Sequence, residues 1–442
     1  MDAFVNWARN QSVTPVEFRT PTSAADVARA VRDAAAGGRR VRMLGTGHSF
    51  TGVALSDGIL LRPDGLTGIL KLGDGEVTVA AGTPLRALNE ELRAHGLALA
   101  NMGDITAQTV AGAIQTGTHG TGREIGGLAD QVTELEIVLA DGSITTVREG
   151  DLFDAARVGL GALGILTAVT LRVEPSFLLH ACREPVPFSR ILDTIDELIG
   201  RDEHLDFFWL PHTDTCLVKR NNRSPGPAQP PSDFKRWLDN VFLENTLFGV
   251  MCAAGACFPG LIPRINRVSA AVLGASECVD TSYKIFTSVR EVRFLEMEYA
   301  IPRHHLAHAL RETRDLVERS GWKITFPVEV RVTPPSDAWL STAYGRPSAY
   351  IACHIYRPTP NPAYFEGVEE IMTRLGGRPH WGKLHTRDAA YLSTVYPRFA
   401  DFVALRDTLD PRGLFANDYL DQVLGRDAHA GASGKSPGPT AM

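Results

Sequence analysis

Apolar and polar residues alternate from Glu76 to Ala80, the period of a half-buried strand. An apolar run at Val41–Leu44 and longer ones at Val132–Ala140, Ser143–Val147 and Leu163–Val173 predict further strands. Asp141-Gly142, between two of these runs, is a hairpin signal. Two helices are predicted among them. The first opens at Thr22-Ser23, where Ser23 and Asp26 have capping-box spacing, and ends at Gly37-Gly38. The second starts at Thr83-Pro84 and stops at Gly96. After Pro175 the pattern changes. Segments 325–334 and 348–356 read as strands, and Phe399–Leu409 has helical spacing that Asp410-Pro411 ends. The proline-rich stretch Ser224–Pro231 reads as a loop. Glycine, serine, alanine and proline dominate beyond it all, and a disordered tail is expected over 424–442.

A chain of 442 residues is too long for one ordinary core and suits two domains. Net charge is −6, with no long basic run, which argues against nucleic acid and anionic membrane as main partners. The six cysteines show no CxxC or other zinc-like spacing, so a reduced, cytoplasmic setting is the expectation and no metal is assigned. The N-terminal residues show no apolar signal-peptide region. Asn245 to Pro263 is uncharged and largely apolar but is broken by Gly249, Gly255, Pro259 and Gly260. It is short of the roughly 20 apolar residues of a spanning helix. A buried helix or an apolar surface patch is expected, with peripheral membrane contact as the further option.

Three glycine-rich loops carry the chemistry. Gly45-Thr46-Gly47-His48-Ser49-Phe50 follows the first apolar strand. Its glycines allow positive φ and uncovered amides, which suit a diphosphate, and an imidazole stands in the same turn. A hydrogen-bonded turn histidine is the plainer reading. Ala111–Gly122 is the second loop, and it lacks both the nucleotide-triphosphate ending and the dinucleotide crossover setting. Gly159–Ile165 is the third, for which a packing corner is an equal reading. Farther on, Glu329 and Arg331 lie two apart in a strand run and share a face, while Val328, Val330 and Val332 point to a core. Such a pair reads as a surface ion pair or as a grip on a polyhydroxylated substrate, its carboxylate accepting a hydroxyl proton. Tyr350, Ala352, His354 and Tyr356 share a face of another strand.

Taken in order, these loops resemble the flavin domain of the vanillyl-alcohol-oxidase superfamily, and within it the sugar-lactone and alditol oxidases. The likeness spans nearly the whole chain. It includes Asn6-Trp7-Ala8, the His48 loop, Gly112–Gly122, Glu329-Val330-Arg331, His380-Trp381-Gly382-Lys383 and Asp410–Leu420. It implies an α+β, two-domain FAD-binding fold of the PCMH type with an antiparallel-sheet cap. The FAD domain would occupy 1–175, the cap 176–400, and a C-terminal segment, 401–423, would return to the FAD domain.

The resemblance also implies roles. His48 would bond covalently to the flavin. Cofactor contacts would come from Gly45, Thr46, Gly47, Ser49, Phe50, Gly103, Gly112, Thr116, Gly117, Thr118, His119, Gly120, Gly161 and Ile165. Glu329, Arg331 and Lys383 would be catalytic; Thr109, His354 and Tyr356 would touch substrate. Plainer readings are a core histidine for His354, a solvated lysine for Lys383 and simple packing for His380 and Trp381. Asn101–Ile105 resembles the segment beside the flavin, where glycine accompanies oxidases and alanine the plant galactonolactone dehydrogenases; Gly103 therefore points to O2 as acceptor and hydrogen peroxide as product. The implied reaction is oxidation of a hydroxyl on a sugar lactone or alditol. The rivals are an aldonolactone dehydrogenase passing electrons to a cytochrome or quinone, and a non-catalytic flavin-binding protein.

Overall fold

A computed structural model describes residues 3–426. The N-terminal half contains two main sheets, and helix Ala24–Ala36 packs on residues of both. Glu17–Arg19, Ile59–Leu61 and Val41–Met43 form a parallel three-stranded sheet. The second sheet is antiparallel and runs, in spatial order, Ile144–Val147, Val132–Val138, Ile165–Arg172, Glu76–Ala80 and Ile69–Gly73. The predicted hairpin is present, with Ile144 opposite Val138 and Gly142 at φ +80°. Helix Ala24–Ala36 begins as expected, since the Ser23 side chain accepts the Asp26 N–H. Its buried stripe, Val27, Ala28, Val31 and Ala34, packs on Val41, Ile59 and Leu61.

Between Leu178 and Pro379 the chain builds one eight-stranded sheet. The spatial order is Ser276–Thr281, Leu178–Pro187, Thr215–Ser224, His204–Leu210, Val328–Thr333, Ser348–Tyr356, Phe294–Pro302 and Arg378–Pro379. Every pairing is antiparallel. Strand alternation gives this sheet two characters. Leu205, Phe207, Trp209, Val328, Val330, Ile351 and Cys353 turn to a core under helices Phe188–Arg201, Leu306–Ser320 and Pro362–Arg374. The opposite face carries Phe208, Lys219, Glu296, Glu298, Glu329, Arg331 and His354, all of which line a cavity.

The last segment comes back to the first. Helices Phe399–Leu409 and Asp418–Leu424 bury Phe402, Leu420 and Val423 in the core built by the N-terminal antiparallel sheet. Leu414 O accepts the Val41 N–H at 2.8 Å, and Asn417 donates to the carbonyls of Gly52, Val53 and Leu55. Leu424, placed in the expected tail, is buried at the end of its helix. The rest of that expectation, from residue 427 on, lies outside the described residues.

The apolar stretch is surface, not buried helix. A continuous helical run, Asp233–Cys257, is long and apolar enough by length and composition to cross a membrane. It begins before the uncharged stretch and leaves Phe234, Trp237, Val250 and, just past its end, Phe258 at least half exposed.

Candidate active site

The His48 loop is shaped by close backbone approach. Gly47 adopts φ +76°, and a Cβ there would lie 2.9 Å from the Phe4 ring. Trp7 N–H donates to Gly47 O, and the Trp7 ring stacks on His48 with centroids 5.8 Å apart. Gly45 faces Gly112 of the second loop. A first cavity runs between these backbones. Gly45, Thr46, Gly47, His48 and Ser49 line one side, Gly112 and Thr116 another, and Gly161 and Ile165 of the third loop close it. Glycines at the approach leave a slot floored by main chain, which fits a diphosphate and its attached sugar. Arg42 braces the third loop from behind, donating to the carbonyls of Leu160 and Phe415.

His48, Ser49, Gln108 and Thr116 also line a second cavity of about 680 Å³, so the two spaces meet at the histidine. Phe50, Gly103, Thr118 and His119 line it, together with Glu329, Arg331, His354 and Lys383. Four predicted positions fall elsewhere. Thr109 lines the first cavity rather than the substrate space, because it caps helix Val110–Gln115 and its hydroxyl accepts the Gly112 N–H. Tyr356 has the right strand parity but is the last residue of its strand and does not line the cavity. Gly117, at φ +74°, makes a turn, and Gly120 packs where a Cβ would meet Met102 O at 2.2 Å; neither borders either space.

Much of the polar lining is a set of buried charges. Arg331 contacts Asp104 and Glu329, each at 2.5 Å. Asp104 also holds Arg290 at 3.3 Å. One guanidinium thus serves two carboxylates, and they respond differently. Burial raises the Asp104 carboxyl, but Arg331, Arg290 and Lys219 outweigh it and hold Asp104 well below the usual range. Burial raises Glu329 and Arg331 opposes, but Asp104 adds repulsion, so Glu329 ends above its ordinary value. Glu329 Oε1 accepts no hydrogen bond despite its closeness to Arg331. A carboxylate of raised basicity that lacks a donor is suited to receive a proton from a hydroxyl.

A second cluster flanks the first. Lys383 Nζ pairs with Glu296, and His354 Nε2 stands 3.5 Å from the same carboxylate. Burial raises Glu296, yet Lys383 and His354 pull it down to about 2. Glu298 sits 3.3 Å from His119 Nε2, and His119 stacks on Tyr350 at 3.7 Å. Burial, then Lys383, lowers His48 to about 4, so its imidazole is neutral at physiological pH. A neutral imidazole has the lone pair that a nucleophile needs.

The two ends of the chain are locked together at this point. Phe50 N–H donates to Gly382 O at 2.7 Å, and the Thr51 hydroxyl donates to Trp381 O. Trp381 is fully buried and donates to Leu340 O at 2.7 Å. Lys383 is thereby held 5.3 Å over the Phe50 ring, beside the histidine loop.

A family model described as D-arabinono-1,4-lactone oxidase matches residues 169–423, and one described as FAD binding domain matches 15–148. The chain belongs to the D-arabinono-1,4-lactone oxidase family. FAD is the cofactor of this family member, as the match over the N-terminal loops requires. The L-gulono-1,4-lactone dehydrogenase of Mycobacterium tuberculosis is 42% identical over 95% of this chain and 98% of its own length. The L-gulonolactone oxidase of Bos taurus is 35% identical, with 95% and 98% covered. The alditol oxidase of a Streptomyces species is 32% identical, with 96% and 99% covered. Among solved structures, a variant of the Brevibacterium sterolicum cholesterol oxidase superposes with a TM-score of 0.80 at 19% identity, covering 96% of both chains. That likeness is one of fold.

Asp104, Glu296, Glu298 and His380 line the cavity of this family member and were not singled out as site residues from the sequence. Glu296 and Glu298 carried a signal of the same kind as Glu329 and Arg331, two charges with strand spacing in an apolar run. Asp104 is adjacent to Gly103 and had none, since its partner Arg331 is far away in sequence.

Proposed function

We propose that this protein oxidises a hydroxyl of a sugar lactone, of the L-gulono-1,4-lactone or D-arabinono-1,4-lactone type, or of an alditol, and uses O2 as acceptor with H2O2 as product. The observation that carries this reading is that Glu329, Arg331 and Lys383 line the same cavity as the His48 loop. FAD, when bound by the three glycine loops, supplies the two-electron acceptor. Arg331 and Lys383 orient the substrate oxygens, and Glu329 takes the hydroxyl proton. Gly103 lines this cavity and packs so closely on the second glycine loop that a Cβ would lie 3.0 Å from Thr118 and 3.1 Å from the His119 carbonyl; the support it gives to O2 as acceptor is the resemblance to oxidases that carry glycine there. Anaerobic addition of an aldonolactone should bleach the flavin, and stopped-flow mixing with air should restore it within seconds. Recovery over many minutes would assign the dehydrogenase reading, in which a cytochrome or quinone is the acceptor. Failure of every aldonolactone and alditol to bleach it would leave only flavin binding.

We also propose that His48 carries a covalent link to the flavin. Its neutral, partly enclosed imidazole at the junction of the two cavities supports this. Acid-precipitated protein should give a yellow pellet, and His48→Ala should move all colour to the supernatant. A colourless wild-type pellet would remove the link but not the FAD.

The cytoplasmic setting, with weak contact to a membrane surface, is part of the same proposal. Support for the membrane contact comes from the exposed apolar residues of Asp233–Cys257 and from Leu243, Phe248 and Met251 of that run, which also line the cavity. The protein should float with liposomes of mixed neutral and anionic lipid, and Trp237→Asp together with Phe258→Asp should abolish flotation while lactone oxidation stays.

A further inference from the structure

Three side chains of different chemistry converge on the outer face of the eight-stranded sheet. His180 and Cys182 are two apart on the Leu178–Pro187 strand and share a face. Glu277, on the edge strand Ser276–Thr281, is the register partner of Cys182. Cys182 is also opposite Arg220, which lies on the Val218 side of its strand; Val218 packs in the helix-covered core, while Leu217 and Lys219 line the cavity. The cluster therefore faces away from the active site.

Its spacing is that of a coordination shell. His180 Nε2 is 3.5 Å from Cys182 Sγ and 3.3 Å from Glu277 Oε2, and all three donor atoms lie within 4.8 Å of one another. A zinc ion with Zn–S ~2.3 Å and Zn–N or Zn–O ~2.0–2.1 Å at tetrahedral angles puts S and N about 3.6 Å apart, and N and O about 3.3 Å apart. A surface ion pair would explain His180 and Glu277 but not the thiol. The polar neighbours have partners of their own. Arg220 donates to Glu184 at 2.7 Å, and Asn222, opposite His180, donates to Asp202 at 2.8 Å. The side chains of His180 and Glu277 are 43% and 74% exposed, which leaves the fourth position to water.

We propose that His180, Cys182 and Glu277 bind a zinc(II) ion with water as the fourth ligand. The Cys182 thiol proton passes to solvent as the thiolate–zinc bond forms, and no electron is transferred. The ion staples the edge strand to the rest of the sheet. That strand leads through helix Ser282–Phe286 to Ser288, whose N–H donates to Asp104 O, and to Arg290, which pairs with the Asp104 carboxylate. The site thus braces from outside the segment that supports Asp104 and Arg331.

The test uses the flavin-loaded full chain, treated with chelator and then titrated with zinc by calorimetry. X-ray absorption at the zinc edge reads the ligands. One zinc per chain is expected, with one sulfur at ~2.3 Å. Cys182→Ser should remove the sulfur signal and weaken binding at least as much as the ~10–100-fold lost with outer-shell partners; His180→Ala should weaken it likewise. Cys278→Ser, whose residue is opposite Ala181 on the other face, and Cys257→Ser, at an exposed cysteine, should bind as the wild type does. Absence of stoichiometric zinc binding, wild-type binding by Cys182→Ser, or loss of sulfur in Cys257→Ser would overturn the assignment. None of these outcomes depends on which hydroxyl the enzyme oxidises.

Discussion

Glu329→Gln is expected to lower kcat/KM for the aldonolactone by about 10²–10⁴-fold, the usual contribution of a positioned general base. The substitution keeps the shape and the approach to Arg331 but removes the group that can hold a proton. Glu329 is suited to that task by its surroundings. Burial and the nearby Asp104 carboxylate raise its basicity against the pull of Arg331, and Oε1 has no donor of its own. The loss should fall on kcat more than on KM, because amide and carboxylate both hydrogen-bond a ground-state hydroxyl. Its pH profile should also change: the limb that reports Glu329 ionisation in the wild type should be absent in the variant. Steady-state kinetics at several pH values, with flavin content checked by absorbance, decides the matter. Activity near that of the wild type would remove Glu329 from the proton-transfer role.

Arg331→Met is expected to cost stability as well as activity. Asp104 and Glu329 would lose the cation that both contact at 2.5 Å. Arg290 remains beside Asp104 at 3.3 Å, but among the described residues Arg331 is the one salt-bridge partner of Glu329. Breaking a buried pair while leaving its partner charged destabilises by about 3–5 kcal/mol. Denaturant or thermal unfolding of the flavin-loaded protein should show a clear loss. Adding Glu329→Gln should recover part of it, since the charge stranded at Glu329 is then gone. If Arg331→Met unfolds like the wild type, the buried charge network is not what holds this wall. The comparison also separates roles, because the double variant should regain stability and not turnover.

The site was legible where its residues are neighbours along the chain. The His48 loop needs four consecutive conformations in one turn, and glycine at 45 and 47 announces them. Glu329 and Arg331 share a face by strand parity alone, and the cavity lies on that face. Parity fails as a guide at strand ends. Tyr356 has the same parity as His354 but stands where the strand ends, past the cavity wall. Thr109 was read by its distance from a motif, and the requirement of a helix cap put its hydroxyl on the cofactor side instead. The composition of the apolar stretch before Pro263 left a buried helix and a surface patch both open, because it reports transfer energy and not position; the helix it belongs to is held on the surface.

By itself the order of residues determined many of the N-terminal strands and helices, the two strands that carry Glu329 and His354, where the backbone turns tightly, and which family the chain resembles, because these depend on spacings of a few residues; most of the strands and helices between Leu178 and Arg374 were not read from it. The tertiary structure alone decided that Asp104 meets Arg331 over 227 positions, that Lys383 is brought to His48 through Gly382 and Phe50, and that His180, Cys182 and Glu277 gather on an edge. Buried charges choose partners by distance in space and by exclusion of water, and neither quantity is written in the local pattern.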